Sequence, residues 1–107
     1  MEYKIVVVGG WCGNLLYIVA EHVKERLLKA GFLFDLITKN VWENYSDPPE
    51  CNLILQLMPA YTKEDTQSPI INIRKLLVDR DDPETMDKIF HQVQKDLNSS
   101  PAQDHDR

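Results

Sequence analysis

The chain has two cysteines, three histidines and four glycines in 107 residues, and it has no cluster of basic residues and no long apolar run. Two thiols, Cys12 and Cys51, cannot build the disulfide framework of a small secreted domain. The N-terminal MEYKIVVV lacks a small-residue cleavage pattern, so no signal peptide is expected and the location is expected to be cytoplasmic. No apolar stretch reaches the roughly 20 residues of a bilayer span, so no membrane span is expected. Lys and Arg number 12 against 17 Asp and Glu, for a net charge of −5. The longest basic feature is KERLLK on a helical pattern, which excludes a nucleic-acid surface built from clustered cations. His22, His91 and His105 suit no zinc spacing, and neither a Ser-His-Asp set nor a carboxylate pair can be assembled. No metal or cofactor is expected.

What the sequence does contain is an alternation of strand and helix patterns. Tyr3–Val8 is a continuous apolar strand of the kind covered on both faces. From Asn14, Leu15, Leu16, Ile18, Val19, Val23 and Leu27 recur at helical spacing, and Gly31 offers a left-handed stop, which predicts a helix over Asn14–Ala30. Phe32–Thr38 resumes β-type residues. KNVWENYSDPP predicts a short helix capped by Asn40, with Glu43 three residues on, carrying Val41, Trp42 and Tyr45. Cys51–Met58 reads as a third strand stopped by Pro59, and Pro69–Ile73 as a fourth. Asp82 as cap, Pro83 at the first helical position and a stripe of Met86, Ile89, Phe90, Val93 and Leu97 define the last helix.

These elements predict an open α/β fold: a mainly parallel four-stranded sheet of order 2-1-3-4 with helices on both faces. Residues 1–97 form a single domain in this reading, and 98–107 a disordered tail. Ligands of such sheets sit beyond the carboxyl ends of the strands. That edge should gather Gly9–Gly13, Lys39 and Asn40, Pro59–Asp65, and the turn Lys75–Asp81.

The stretch VVVGGWCGNLL carries the chemistry. Cys12 stands just before a helix, where unpaired amides and the helix dipole favour a thiolate. Gly9, Gly10 and Gly13 let backbone N–H groups converge on an anion. The expected site is therefore Cys12 as nucleophile, cradled by the backbone of Gly9, Gly10, Trp11, Gly13 and Asn14. Structural roles are expected for the other conspicuous residues: Cys51 as a small buried hydrophobe, His22 on a solvated helix face with Glu21, Lys24 and Glu25, and Trp42 as a packing residue. Asp79, Arg80 and Asp81 read as a soluble turn, and Lys63, Glu64 and Asp65 as an exposed loop. Trp11 suits either a lid over the cysteine or packing.

In the order KIVVVGGWCGN, FLFDLIT, NVWENY, CNLILQLMPA and PIINIRKLL, the chain up to Leu97 resembles the enzyme IIB components of the sugar phosphotransferase system (PTS), nearest to the galactitol and ascorbate types. The resemblance implies a Rossmann-like PTS IIB fold. It also implies a phosphocysteine that takes a phosphoryl group from enzyme IIA and passes it to a sugar held by the membrane component IIC, with no metal required. The loop departs from the family. Aligned without gaps, the family cysteine falls on Gly9, and the family's Ser/Thr positions fall on Leu15 and Leu16, which cannot hydrogen-bond phosphate. A phosphocarrier using Cys12 and a non-catalytic IIB-like module binding another protein are both compatible with this pattern. WCG before a helix also resembles the thioredoxin site, but Leu15 stands where the resolving cysteine would be, which leaves only a monothiol redox role.

Overall fold

Among the described residues, Ile5–Val8 is the longest fully buried run, with no exposure at any of its four residues. A computed structural model describes residues 3–10, 14–41 and 49–98. In it this segment lies within β1 (Lys4–Gly9), flanked by β2 (Asp35–Asn40) on one side and β3 (Leu53–Gln56) on the other. β4 (Ile70–Asn72) adds beyond β3, and every pairing is parallel, in the order β2-β1-β3-β4. This is the α/β sheet that the alternation of patterns predicts.

Alternate residues of β1 serve two cores. Ile5 and Val7, with Leu53 and Leu55, pack against Leu16, Val19, Val23 and Leu27 of α1 (Leu15–Lys29) and Met86, Ile89 and Val93 of α2 (Pro83–Asn98). Val6, Val8 and Ile54 face the other way, onto Val41 and Tyr61 with Cys51, Met58 and Ile70 around them. Both described helices therefore lie on one face. The expected short helix falls, after Val41, outside the described residues, as does the expected tail from Ser99 onward. Asn40, expected to cap that helix, is the last residue of β2, and Asn98, expected in the tail, is the last residue of α2. No helix among the described residues is long and apolar enough to cross a membrane.

α1 ends as Gly31 predicts. Gly31 has φ +90°, and its amide and that of Phe32 bond back to the carbonyls of Leu28 and Leu27, the paired closure of a Schellman motif. β2 begins three residues later than the pattern Phe32–Thr38 predicts. Phe32 and Phe34 are spent on the core beneath α1 and α2, and the ladder to β1 opens only where the Asp35 amide donates to the Tyr3 carbonyl at 2.8 Å. At the far end of the chain, the Tyr3 hydroxyl donates to Asp96 Oδ2 at 2.6 Å, which ties the start of β1 to the last turn of α2.

The Asp79–Asp82 cluster splits into two jobs. Asp82 caps α2 as expected, accepting from the amide and hydroxyl of Thr85 at 3.0 and 2.7 Å. Asp81 does more than keep a turn soluble: one carboxylate oxygen accepts from His22 Nε2 at 2.7 Å and from Arg26 Nη1, joining this turn to α1. His22 thus has a partner that periodicity within its own helix could not disclose. The His22 and Arg26 contacts hold the Asp81 carboxyl below its usual range. Because the folded value is depressed, the stabilisation is present above the ordinary aspartate pKa near ~4 and is lost as pH falls through the folded value. Asp81→Asn should lower the urea midpoint near neutral pH, and the difference from wild type should shrink as pH falls below the ordinary aspartate pKa.

Candidate functional site

The carboxyl edge of the sheet begins with two glycines because α1 must turn back closely over β1. Gly9 and Gly10 are buried, and Asn14 follows, exposed, as the residue before α1. A Cβ placed on Gly9 would stand 3.1 Å from Leu16 Cδ1, so the end of β1 and the first turn of α1 are in contact across a position with no side chain. Leu16 is 1% exposed and is part of the core, whereas Leu15 is 41% exposed. Gly9 is therefore a position where this chain has packed a leucine against bare backbone. Trp11, Cys12 and Gly13 lie outside the described residues.

Among the described residues, the start of α1 carries positive polarity with no side-chain cap and no acidic residue in its first turn. Asn14 (φ −103°, ψ 5°) makes no side-chain cap, the first turn has no acidic residue, and the first i→i−4 bond runs from the Ile18 amide to the Asn14 carbonyl at 2.9 Å. Helix dipoles and amides left in this state favour an anion nearby.

Of the segments expected at this edge, the structure brings three together. Gly9 is in register with Asn40, and the Val41 amide donates to the Gly9 carbonyl at 2.9 Å. Lys39, beside Val8 in the register, places its Nζ 5.5 Å over the ring of Tyr61. Tyr61 is 3% exposed and comes from the Pro59–Asp65 loop, whose far end, Thr62 to Asp65, is exposed as expected. There the Asp65 carboxylate accepts from the amide and hydroxyl of Thr62 at 2.8 and 3.2 Å, closing a local turn. The fourth segment, Lys75–Asp81, begins within a 3₁₀ turn (Arg74–Leu77), and its Asp81 is anchored to the middle of α1. His22 is eight residues beyond Asn14, about 12 Å along the helix.

Gln56 organises this edge and has no part in the site expected from sequence. It ends β3, is 8% exposed, and its side chain turns back on the following loop. Oε1 accepts from the Tyr61 amide at 3.1 Å and the Ala60 amide at 3.4 Å, while Nε2 donates to the Tyr61 carbonyl at 3.2 Å. One buried amide thus pairs backbone groups of Ala60 and Tyr61 in the following loop. The available signal was a single glutamine in the apolar run LILQLM.

Cys51 is half-buried in the second core, and burial pushes its thiol up, against the hydrogen bond with Ser68. Such a thiol is less nucleophilic, in line with the inert role expected for it. Among the described residues no three His, Cys, Asp or Glu side chains are grouped as metal ligands. Two clefts, of about 420 and 400 Å³, lie on the β4 and α2 side, the first lined by Ile71, Asp87 and His91, the second by Arg74, Lys75 and Lys88. Neither includes Gly9, Gly10 or Asn14 among its lining residues. Comparison with family models, with curated proteins and with solved structures gives no match.

Two substitutions test how this edge is held. Gly9→Cys brings a side chain against Leu16, which must give way, and should cost roughly 1–3 kcal/mol in urea unfolding. Gln56→Leu removes all the side chain's bonds to the loop and should cost about 2 kcal/mol or more, with the Ala60 and Tyr61 amides exchanging much faster with deuterium.

Proposed function

We propose that this chain is a phosphocarrier-type protein of a sugar phosphotransferase system, working in the cytoplasm between a IIA-type donor and a IIC-type sugar carrier. The observation that carries the reading is the delivery of the buried Gly9-Gly10 turn, by the central strand of a 2-1-3-4 parallel sheet, into a helix start with neither side-chain cap nor acidic residue. That arrangement suits an anion at the carboxyl edge of β1.

In this reading the Cys12 thiolate attacks the phosphorus of a phosphohistidine. A sulfur–phosphorus bond forms as the phosphorus–nitrogen bond breaks, and the imidazole leaves. The oxygens of the phosphoryl group are held by backbone amides from Gly9, Gly10, Trp11, Gly13 and Asn14, since Leu15 and Leu16 have no hydroxyls to offer. The group then passes from sulfur to a sugar hydroxyl.

A second reading is favoured by the packing of Leu16. Where the family has hydroxyl donors this chain has one core leucine and one exposed leucine, and a side chain at Gly9 would press on Leu16. A IIB-like module that has given up phosphotransfer and uses the same edge to bind a protein fits that substitution. A monothiol redox role has no specific observation in its favour.

Two measurements on the Cys51→Ser chain separate the readings. Titration with inorganic phosphate, followed by amide NMR, should shift Gly9, Gly10 and Asn14–Leu16 saturably. Alkylation of Cys12 by iodoacetamide should show a midpoint at least about one pH unit below the ordinary thiol value near 8.5. If those amides stay still and Cys12 titrates as an ordinary thiol, phosphotransfer is rejected and the protein-binding module stands.

A further inference from the structure

The two edges of the sheet are not equally protected. β4 is three residues long and follows Pro69, and short strands and edge prolines both discourage further pairing. β2, at the opposite edge, is six residues long and contains no proline or glycine. In β2 the amides of Asp35 and, just past the strand, Val41 donate to the carbonyls of Tyr3 and Gly9. In a parallel ladder this turns the odd-numbered residues toward β1 and points the N–H and C=O groups of Leu36 and Thr38 outward. Among the described residues those outward groups have no hydrogen-bond partner. Apolar surface lies on and beside this edge, with Ile37 41% exposed and Leu33 84% exposed.

We propose that β2 pairs with β2 of a second copy of this chain, antiparallel about a two-fold axis at Ile37, joining two four-stranded sheets into one of eight. The sequence DLITKN is self-complementary in that arrangement. With Ile37 opposite Ile37, Leu36 stands opposite Thr38, so the outward backbone groups meet in two reciprocal hydrogen-bonded pairs. Asp35 then stands opposite Lys39 of the other copy, twice, on the same sheet face as Ile37. Opposite charges directly across a strand pair are favourable and like charges unfavourable, so the pattern selects this register and antiparallel sense. Lys39 is already on that face, with its ammonium over Tyr61. A two-fold contact of this kind closes on itself, which leaves only the two protected β4 edges at the ends of the joined sheet.

This inference does not depend on the phosphocarrier reading, because it concerns a different edge and is read by mass. Analytical ultracentrifugation over a concentration series should show twice the 12.4 kDa of the single chain. Asp35→Lys should raise the dimer dissociation constant by roughly tenfold or more through paired repulsion, and the double swap Asp35→Lys/Lys39→Asp should recover much of that loss. Thr38→Pro removes an outward donor without touching the ladder to β1, and it too should favour the monomer; circular dichroism reports that each variant is folded. A wild-type chain that stays monomeric up to millimolar concentration overturns the proposal. A dimer indifferent to Asp35→Lys and Thr38→Pro also overturns it, by placing the interface elsewhere.

Discussion

The rest of the fold depends on the burial of β1. A strand with both faces and both edges withdrawn from water must find every hydrogen bond inside the protein. β1 does so by standing between β2 and β3. Its side chains feed two separate apolar clusters, so a polar substitution anywhere from Ile5 to Val8 would be felt on one core or the other. The close seat of α1 follows from the same constraint: with no side chain at Gly9, Leu16 comes down onto the end of the strand and completes its cover.

Among the described residues, the carboxyl edge combines a helix start without a side-chain cap or first-turn acid and a loop fixed by a buried amide. The first offers electrostatic preference without shape, since Asn14 and the opening residues of α1 present backbone polarity alone. The second offers shape: Gln56 fixes Ala60 and Tyr61, and Tyr61 in turn lies under Lys39. Strands of one sheet place the two next to each other, although they come from distant parts of the sequence. The scaffold therefore suits an anion at this edge, and in the proposed reading the particular chemistry belongs to Cys12.

Much of the fold was legible because its signals are local. The unbroken apolar run of β1, the left-handed stop at Gly31 and the Asp82-Pro83 start of α2 each act within a few residues, and each is where the pattern places it. Strand bounds were less legible: the ladder of β2 waits for Asp35 because Phe32 and Phe34 are taken by the core, a tertiary demand that alternation does not encode. The same limit hid the tie between Asp81 and α1, made by residues 55 and 59 apart in sequence. Of the residues named for the site, Gly9 ends β1 and Asn14 precedes α1, while Trp11, Cys12 and Gly13 lie outside the described residues. Gln56 was missed because its partners are backbone groups, which leave no trace in residue type.

The bonds of Gln56 also bear on how the sheet assembles. No two strands here form a hairpin, so each pairing requires closing a long connection before any ladder bond repays the lost chain entropy. The connection from β3 to β4, residues 57–69, is much shorter than that from β1 to β2, residues 10–34. Gln56 reaches only four and five residues ahead, to Ala60 and Tyr61, and so bends the shorter connection at its outset. A side chain that satisfies a loop in the finished protein is thus also a local tie, made within five residues, inside the connection that carries the chain from β3 to β4.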